Sequence, residues 1–307
     1  MADPNTTNLF HFFYSRFVGG CGLACWVNAS ECVRAEGPTP SGPFVDAAIV
    51  LGVFCHNPTV RRAPDGTYVL WHIGQPDPSR SHSCSTSSQT CASNYPPLLP
   101  TDGREIITYL SAPHPAGPWT PLGTAAFSGT GAGWLGWVSN PSIHYFANGS
   151  ALLAFRAKVM PGGGRVESGS SVPQNLPVGQ EVIGLATAPH WGGPYELAVA
   201  HPIALEHEDP HIWADKRGNL HLLSHGATNH WFTTPDQLGN WTLASAPAYG
   251  FDFEWANGTA AIALRRERPQ LVFSADGNMT PLVFTTGVTI KGGPPQMSLT
   301  LAQRVVG

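Results

Sequence analysis

Glu208 and Asp209 stand side by side ahead of Pro210, and Glu267 stands with Arg268 ahead of Pro269. A carboxyl that keeps its proton, placed near one that has lost it, is the equipment of general acid–base chemistry. One group assists a leaving group while the other draws a proton from water. Arginines close by, Arg268 and Arg156, are suited to holding a neighbouring carboxylate ionised. Histidines 56, 72 and 225 add further groups able to move or hold a proton near neutrality.

These residues fall at equivalent places in a repeated pattern. His207 to Gly226 reads as a hairpin: an acidic pair, a proline, an apolar alternation, an Asp-Lys-Arg-Gly-Asn turn and a second apolar run ending at His225. The same order recurs at His56-Asn57-Pro58 with Asp65-Gly66, at Ser139-Asn140-Pro141 with Asn148-Gly149, and at Glu267-Arg268-Pro269 with Asp276-Gly277. A second recurring element joins Gly42-Pro43-Phe44, Gly117-Pro118-Trp119, Gly193-Pro194-Tyr195 and Gly239-Asn240-Trp241. There a turn breaks the chain before an aromatic residue opens the next strand. Each unit is therefore a four-stranded meander, the blade of a β-propeller.

Four full repeats and a partial one over the first fifty residues predict an all-β fold, a single five-bladed propeller domain spanning 1–307 with four-stranded blades. The strand-like segment 298–306 is expected to complete the first blade and close the ring. In a meander the start of the first strand and the end of the second share one edge. Asn57, Asn140, Asp209, Glu267 and Arg268 are thus expected around one mouth of the central channel, joined by His72, Arg156 and His225. Trp119 and Trp241 read as packing between blades, and Trp134, Trp137 and Trp213 as candidates to stack on a ligand ring.

Composition narrows the function. With 34 Gly, 29 Pro and only 12% charged residues, the chain is built for short strands and tight turns rather than amphipathic helices. Its formal charge of -4, without a dense basic tract, provides no footprint for nucleic acid. Its apolar runs are strand-sized, so no membrane span is expected. The six cysteines form an even set, with Cys84 and Cys91 bracketing a short polar loop that suits a local disulfide. Sequons at Asn5, Asn28, Asn148, Asn240, Asn257 and Asn278 point with the cysteines to a secreted glycoprotein, although the N-terminus has no signal-peptide pattern.

At the level of blade grammar the sequence resembles the five-bladed propeller glycoside hydrolases, family 43 and its relatives. Glu208-Asp209-Pro210, followed by Ile212-Trp213-Ala214-Asp215 and Gly218, is similar to that family's Asp-Pro segment carrying a supporting aspartate. Glu267-Arg268-Pro269 is similar to the segment carrying its general acid. The resemblance implies hydrolysis of an arabinofuranoside, xyloside or galactoside bond, with inversion, in a carbohydrate substrate held at the central pocket. Glu267 is then the acid, Asp209 the group that orients and tunes it, and Glu208 a candidate base. His56, Asn57, Asn140, Arg156, His72, His225, Arg268 and Trp137 are the expected sugar contacts.

One position departs from the family. Where the general base is expected the chain has Asn57, and an amide takes no proton from water. A carbohydrate-binding propeller without hydrolysis is therefore the alternative reading. Structural roles compete at each acid as well: a carboxylate before proline also serves by accepting backbone hydrogen bonds, and Glu267 beside Arg266 and Arg268 also suits an ion pair. No close zinc motif occurs, and His56, His72, His211, His225 and His230 would form a metal cluster only if the blades brought them together. No cofactor is expected; a structural calcium or a water at the centre of the channel is a better fit to the pattern than zinc.

Overall fold

The computed structural model describes residues 1–77, 84, 106–128, 134–159, 176–205, 207–226, 228–274, 276, 278–293 and 297–305. Its strands form five sheets arranged in a ring, the five-bladed propeller. Blade 1 comprises β1 (Phe10–Phe17), β2 (Ser30–Gly37) and β3 (Val45–Leu51). Blade 2 comprises β4 (His56–Arg62), β5 (Tyr68–Ile73), β6 (Ile107–Ala112) and β7 (Thr120–Thr124).

Blade 3 is the widest, with β8 (Phe127–Ser128), β9 (Leu135–Tyr145), β10 (Ala151–Val159), β11 (Glu181–Ala188), β12 (Tyr195–Leu197) and β13 (Ala204–Leu205). Blade 4 comprises β14 (Glu208–Ala214), β15 (Leu220–His225), β16 (Asn229–Thr233) and β17 (Thr242–Leu243). Blade 5 comprises β18 (Asp252–Glu254), β19 (Ala260–Phe273), β20 (Pro281–Ile290) and β21 (Leu299–Arg304). A short helical segment, Leu23–Ala29, links β1 to β2.

The hairpins close as their turn residues require. Gly66, Gly149 and Gly218 all have φ near +90°, where a side chain would be strained. Around them recurs one hydrogen-bond pattern, such as Ala63 N to Thr67 O and Phe146 N to Ser150 O. The innermost strands β1, β4, β9, β14 and β19 lie side by side around the axis.

Packing between blades is apolar where it is tight. Trp71, Ile107, Trp134, Leu153, Phe155 and Val182 fill the seam between blades 2 and 3. Leu152, Leu185, Ile212, Leu222 and Trp241 fill the next seam, as the aromatic-after-turn pattern predicts for Trp241. The approach is close: a Cβ on Gly184 would lie 2.6 Å from the Phe155 ring and 2.8 Å from Trp134. Trp134 is thus core and not a ligand platform. Trp213 sits toward the far end of β14, stacked on His221 and His230, and is likewise removed from the mouth.

Two expectations are overturned. β21 pairs with β20, Val283 opposite Arg304 and Val288 opposite Leu299, so the C-terminal strand belongs to blade 5 and leaves blade 1 without it. Cys84 bonds Cys21, with a Cα–Cα distance of 5.0 Å, and Cys32 bonds Cys55. Cys91, the expected partner of Cys84, lies outside the described residues. Among the described residues these bonds tie the segment 21–32 to Cys55, just ahead of β4, and to Cys84, between β5 and β6, where sequence spacing alone contains no record of connectivity.

Candidate active site

The residue before each of the four repeat prolines has a positive φ: Asn57 56°, Asn140 52°, Asp209 55° and Arg268 57°. Asn and Asp tolerate this conformation better than other side chains do, and Arg268 is the exception among them. At each of these positions the strand pairing shifts register, as between His56 and Thr59 or Glu208 and His211. A bulge of this kind re-aims a side chain at the end of a strand, and here it aims all four toward the axis.

There they form a closed circuit. Asn57 Nδ2 donates to Asn140 Oδ1 at 3.4 Å, and Asn140 Nδ2 donates to Asp209 Oδ1 at 2.7 Å. Arg268 Nη1 donates to the same Asp209 oxygen at 2.7 Å, while its Nη2 reaches the Asn57 carbonyl at 3.4 Å. Blade 1 joins through Ser15 Oγ, which accepts from the Asn57 backbone N–H at 2.8 Å.

Asp209 is 4% exposed. Burial pushes its carboxyl up, but the Arg268 guanidinium and His225 outweigh burial and hold it below the usual range. His225 lies among three carboxylates: Nδ1 is 3.2 Å from Glu208 and 3.6 Å from Asp209, and Nε2 is 3.9 Å from Glu267. Burial lowers this imidazole, yet its acidic neighbours together raise it to about 10, so it is an imidazolium at neutral pH. Glu267 moves the other way. Burial and the Asp209 charge raise its carboxyl, against the opposing pull of Arg265 and His225.

Of the residues singled out from sequence, His56, Asn57, Asn140, Arg156, Glu208, Asp209, Glu267 and Arg268 line one cavity of about 1130 Å³. His225 touches three of them. His56 is buried against Trp26, and burial with Arg268 beside it pushes its imidazole down to about 3. Arg156 donates to Ser139 and pairs with Glu181, with Glu208 3.6 Å from its Nε.

Two sites lie apart. His72 is fully buried inside blade 2, lowered to about 4 by that burial, and its neighbour Ile73 faces the cavity instead. Trp137 stands behind Lys158, whose ammonium lies over its ring at 5.9 Å.

The partner of Glu267 is Arg265, at 2.5 Å, and not either adjacent arginine. Arg266 points away to Thr286 and the Gly250 carbonyl, and Arg268 is taken by Asp209. Strand alternation contains this signal, since residues two apart share a face. The mouth is extended by a raised hairpin, because β18 pairs only with residues 260–262 of β19, ahead of Glu267. From the mouth the cavity continues sideways between blades 1 and 5. Phe12, Tyr14, Phe44 and Arg16 line one wall, and Thr285, Thr289, Thr300 and Ala302 line the other.

Among the described residues His56, His72, His211, His225 and His230 do not come together as a metal cluster. Among the described residues, the acid-and-histidine group with metal-ligand spacing is Glu208, Asp209 and His225. Calcium takes about six to eight oxygens, whereas this group has one nitrogen that is protonated, and the Arg268 guanidinium occupies Asp209. The donor set does not fit calcium.

The fold has solved counterparts. Zg3597, a family 117 glycoside hydrolase from the marine bacterium Zobellia galactanivorans, aligns over 98% of this chain and 81% of its own, with a TM-score of 0.57 at 15% identity. A thermostable family-43 glycoside hydrolase aligns over 99% and 88%, with a TM-score of 0.59 at 11% identity. The α-L-arabinofuranosidase PaAbf62A from Podospora anserina, solved in complex with cellotriose, aligns over 94% and 82%, with a TM-score of 0.51 at 11% identity. No protein-family model and no curated protein matches the sequence. What this chain shares with those hydrolases is its architecture, the five-bladed β-propeller of glycoside hydrolase families 43 and 117.

Proposed function

We propose that this protein is an inverting glycoside hydrolase acting on a polysaccharide or its oligosaccharides at the channel mouth. The observation that carries the reading is the placement of Glu208 and Glu267 on either side of one imidazolium, His225. That placement is compatible with the roughly 6.5–9.5 Å between acid and base in inverting enzymes. Glu267, raised by burial and by Asp209, holds the proton that passes to the glycosidic oxygen as the C–O bond breaks. Glu208 accepts a proton from the water that attacks the anomeric carbon from the opposite face. Asp209, fixed by Asn140 and Arg268, positions the mouth, and its charge pushes the Glu267 carboxyl up.

The lateral opening between blades 1 and 5 favours a chain substrate over a lone terminal sugar, because aromatic and hydroxyl side chains extend beyond the mouth. Arabinofuranosides, xylosides and galactosides are the substrates to try first. We also assign the protein to the secretory route. Two disulfides among the described residues and the exposed sequon residues Asn5, Asn148, Asn240, Asn257 and Asn278 support that assignment, while Asn28 is 3% exposed and unsuited to a glycan. No helix among the described residues is long and apolar enough to cross a membrane.

Turnover of a panel of aryl glycosides and polysaccharides tests the reading. On the substrate found, Glu267→Gln is expected to lower kcat roughly 10²- to 10⁴-fold with little change in KM. A second reading, a carbohydrate-binding propeller without hydrolysis, is favoured by Asn57, whose amide is engaged in the circuit where a base would stand. Binding without turnover, with hydrolysis appearing in Asn57→Asp, would select it.

A further inference from the structure

Below the mouth, the channel holds a second group of polar side chains that the reaction does not use. Arg61 of β4 reaches across the axis to His211 of β14, with Nη2 3.3 Å from Nδ1. On the other side of the His211 ring, the backbone N–H of Leu271 in β19 points at Nε2 at 3.1 Å. Three blades thus meet at one imidazole, which is 1% exposed.

The hydrogen bonds around this ring do not balance. A neutral imidazole has one lone pair and one N–H. The Leu271 N–H is a fixed donor and takes the lone pair of Nε2, so the ring proton sits on Nδ1. That proton faces Arg61, whose guanidinium also has only donors. Protonating His211 fully would make the conflict worse, and burial beside Arg61 holds its imidazole well below the ordinary value.

Arg61 itself lacks a counter-charge. Its partners are His211 and the neighbouring Val60 carbonyl, and no carboxylate pairs with it among the described residues. The Met1 amino group and His144 and Tyr145 of β9 are its other polar neighbours. A half-buried cation without an anion is costly, and two donors 3.3 Å apart are left unmet without an acceptor.

We infer that the channel contains a binding site for a small monovalent anion of the halide class, seated beside Arg61 Nη2 and the Nδ1–H of His211 and in contact with both. One anion there accepts from both donors at once and neutralises the guanidinium. It would tie blades 2 and 4 together through the axis, with Leu271 of blade 5 fixing the tautomer that makes the site. The site is of opposite sign to a calcium site and independent of the reaction proposed at the mouth.

Two measurements on the full chain decide it. Bromide anomalous diffraction from crystals of the wild-type protein should show a peak in contact with Arg61 and His211. Thermal unfolding in sodium chloride or bromide, against sodium gluconate at equal ionic strength, should show a halide-specific rise of roughly 2–4 °C. That rise should be absent in Arg61→Met. A map with only a water between the two side chains overturns the inference. So does a peak without a thermal response, which means an adventitious ion only, or an equal halide response in both proteins. If Arg61→Met does not fold, the wild-type map and gluconate comparison still decide.

Discussion

The seam between blades 2 and 3 and the seam between blades 5 and 1 are built from the same kind of strands, yet one is packed and the other is open. In the first, Trp71, Trp134 and Phe155 interlock with Leu153 and Val182, and a glycine at 184 is needed to let the rings approach. In the second, Phe12 and Tyr14 stack on each other at 5.5 Å and face a wall of threonines, Gly287 and Ala302. Large meets large with glycine relief in one place, and large meets small in the other. The first arrangement removes apolar surface from water and the second leaves a cleft. Stability and access are thus assigned to different seams.

Emptying the packed seam is the strongest test. Phe155→Ala is expected to destabilise the protein by about 3–5 kcal/mol in chemical denaturation, from lost transfer energy and the cavity left behind. Next comes the circuit at the mouth, which joins blade 5 to blades 2 and 4. Arg268→Met removes the guanidinium from the buried Asp209 and leaves it Asn140 and His225 alone, at about 3 kcal/mol near neutral pH. Asp209 is lowered by Arg268, so this contribution is present above the unfolded aspartate pKa and fades as pH falls through the folded one. The difference between wild type and variant should therefore shrink in acid.

A smaller, pH-resolved effect belongs to His225. Its pKa is raised to about 10, so its stabilisation is complete below the unfolded value of about 6.5 and is lost as pH rises toward 10. Wild type should lose more stability than His225→Gln across that window, as read by denaturation at several pH values. Smallest is the raised hairpin beside the open seam. Leu264 is 62% exposed, so Leu264→Ala should shift stability by no more than about 0.5 kcal/mol. A large loss there would mean that the seam is closed by packing.

The blade repeats were legible because turn chemistry is local: Asp-Gly and X-Pro specify backbone geometry wherever the chain later sits. Which strand completes a blade was not, since the edge of β20 bears no mark telling β21 to stay rather than cross to blade 1. The acids and their neighbours at the mouth were legible as positions. That Asn57, Asn140, Asp209 and Arg268 would bond to one another depends on curvature of the ring, which no short stretch encodes. His72 shows how narrow the margin is. A strand turns alternate residues to opposite faces, so the cavity received Ile73 and the histidine went into the blade. Arg265 was available from that same alternation, two residues before Glu267.

The circuit at the mouth also sets an order of assembly. Arg268 closes it onto the carbonyl of Asn57, 211 residues earlier in the chain. Contacts so distant in sequence form late, after the loop between them has been gathered. A chain emerging from synthesis can pack blades 2, 3 and 4 while Asp209 still lacks its guanidinium. Only when the last forty or so residues have joined does that carboxylate acquire its partner and the mouth its shape. The final blade therefore acts as a completion check: without it, the packed seams exist but the proposed chemistry does not.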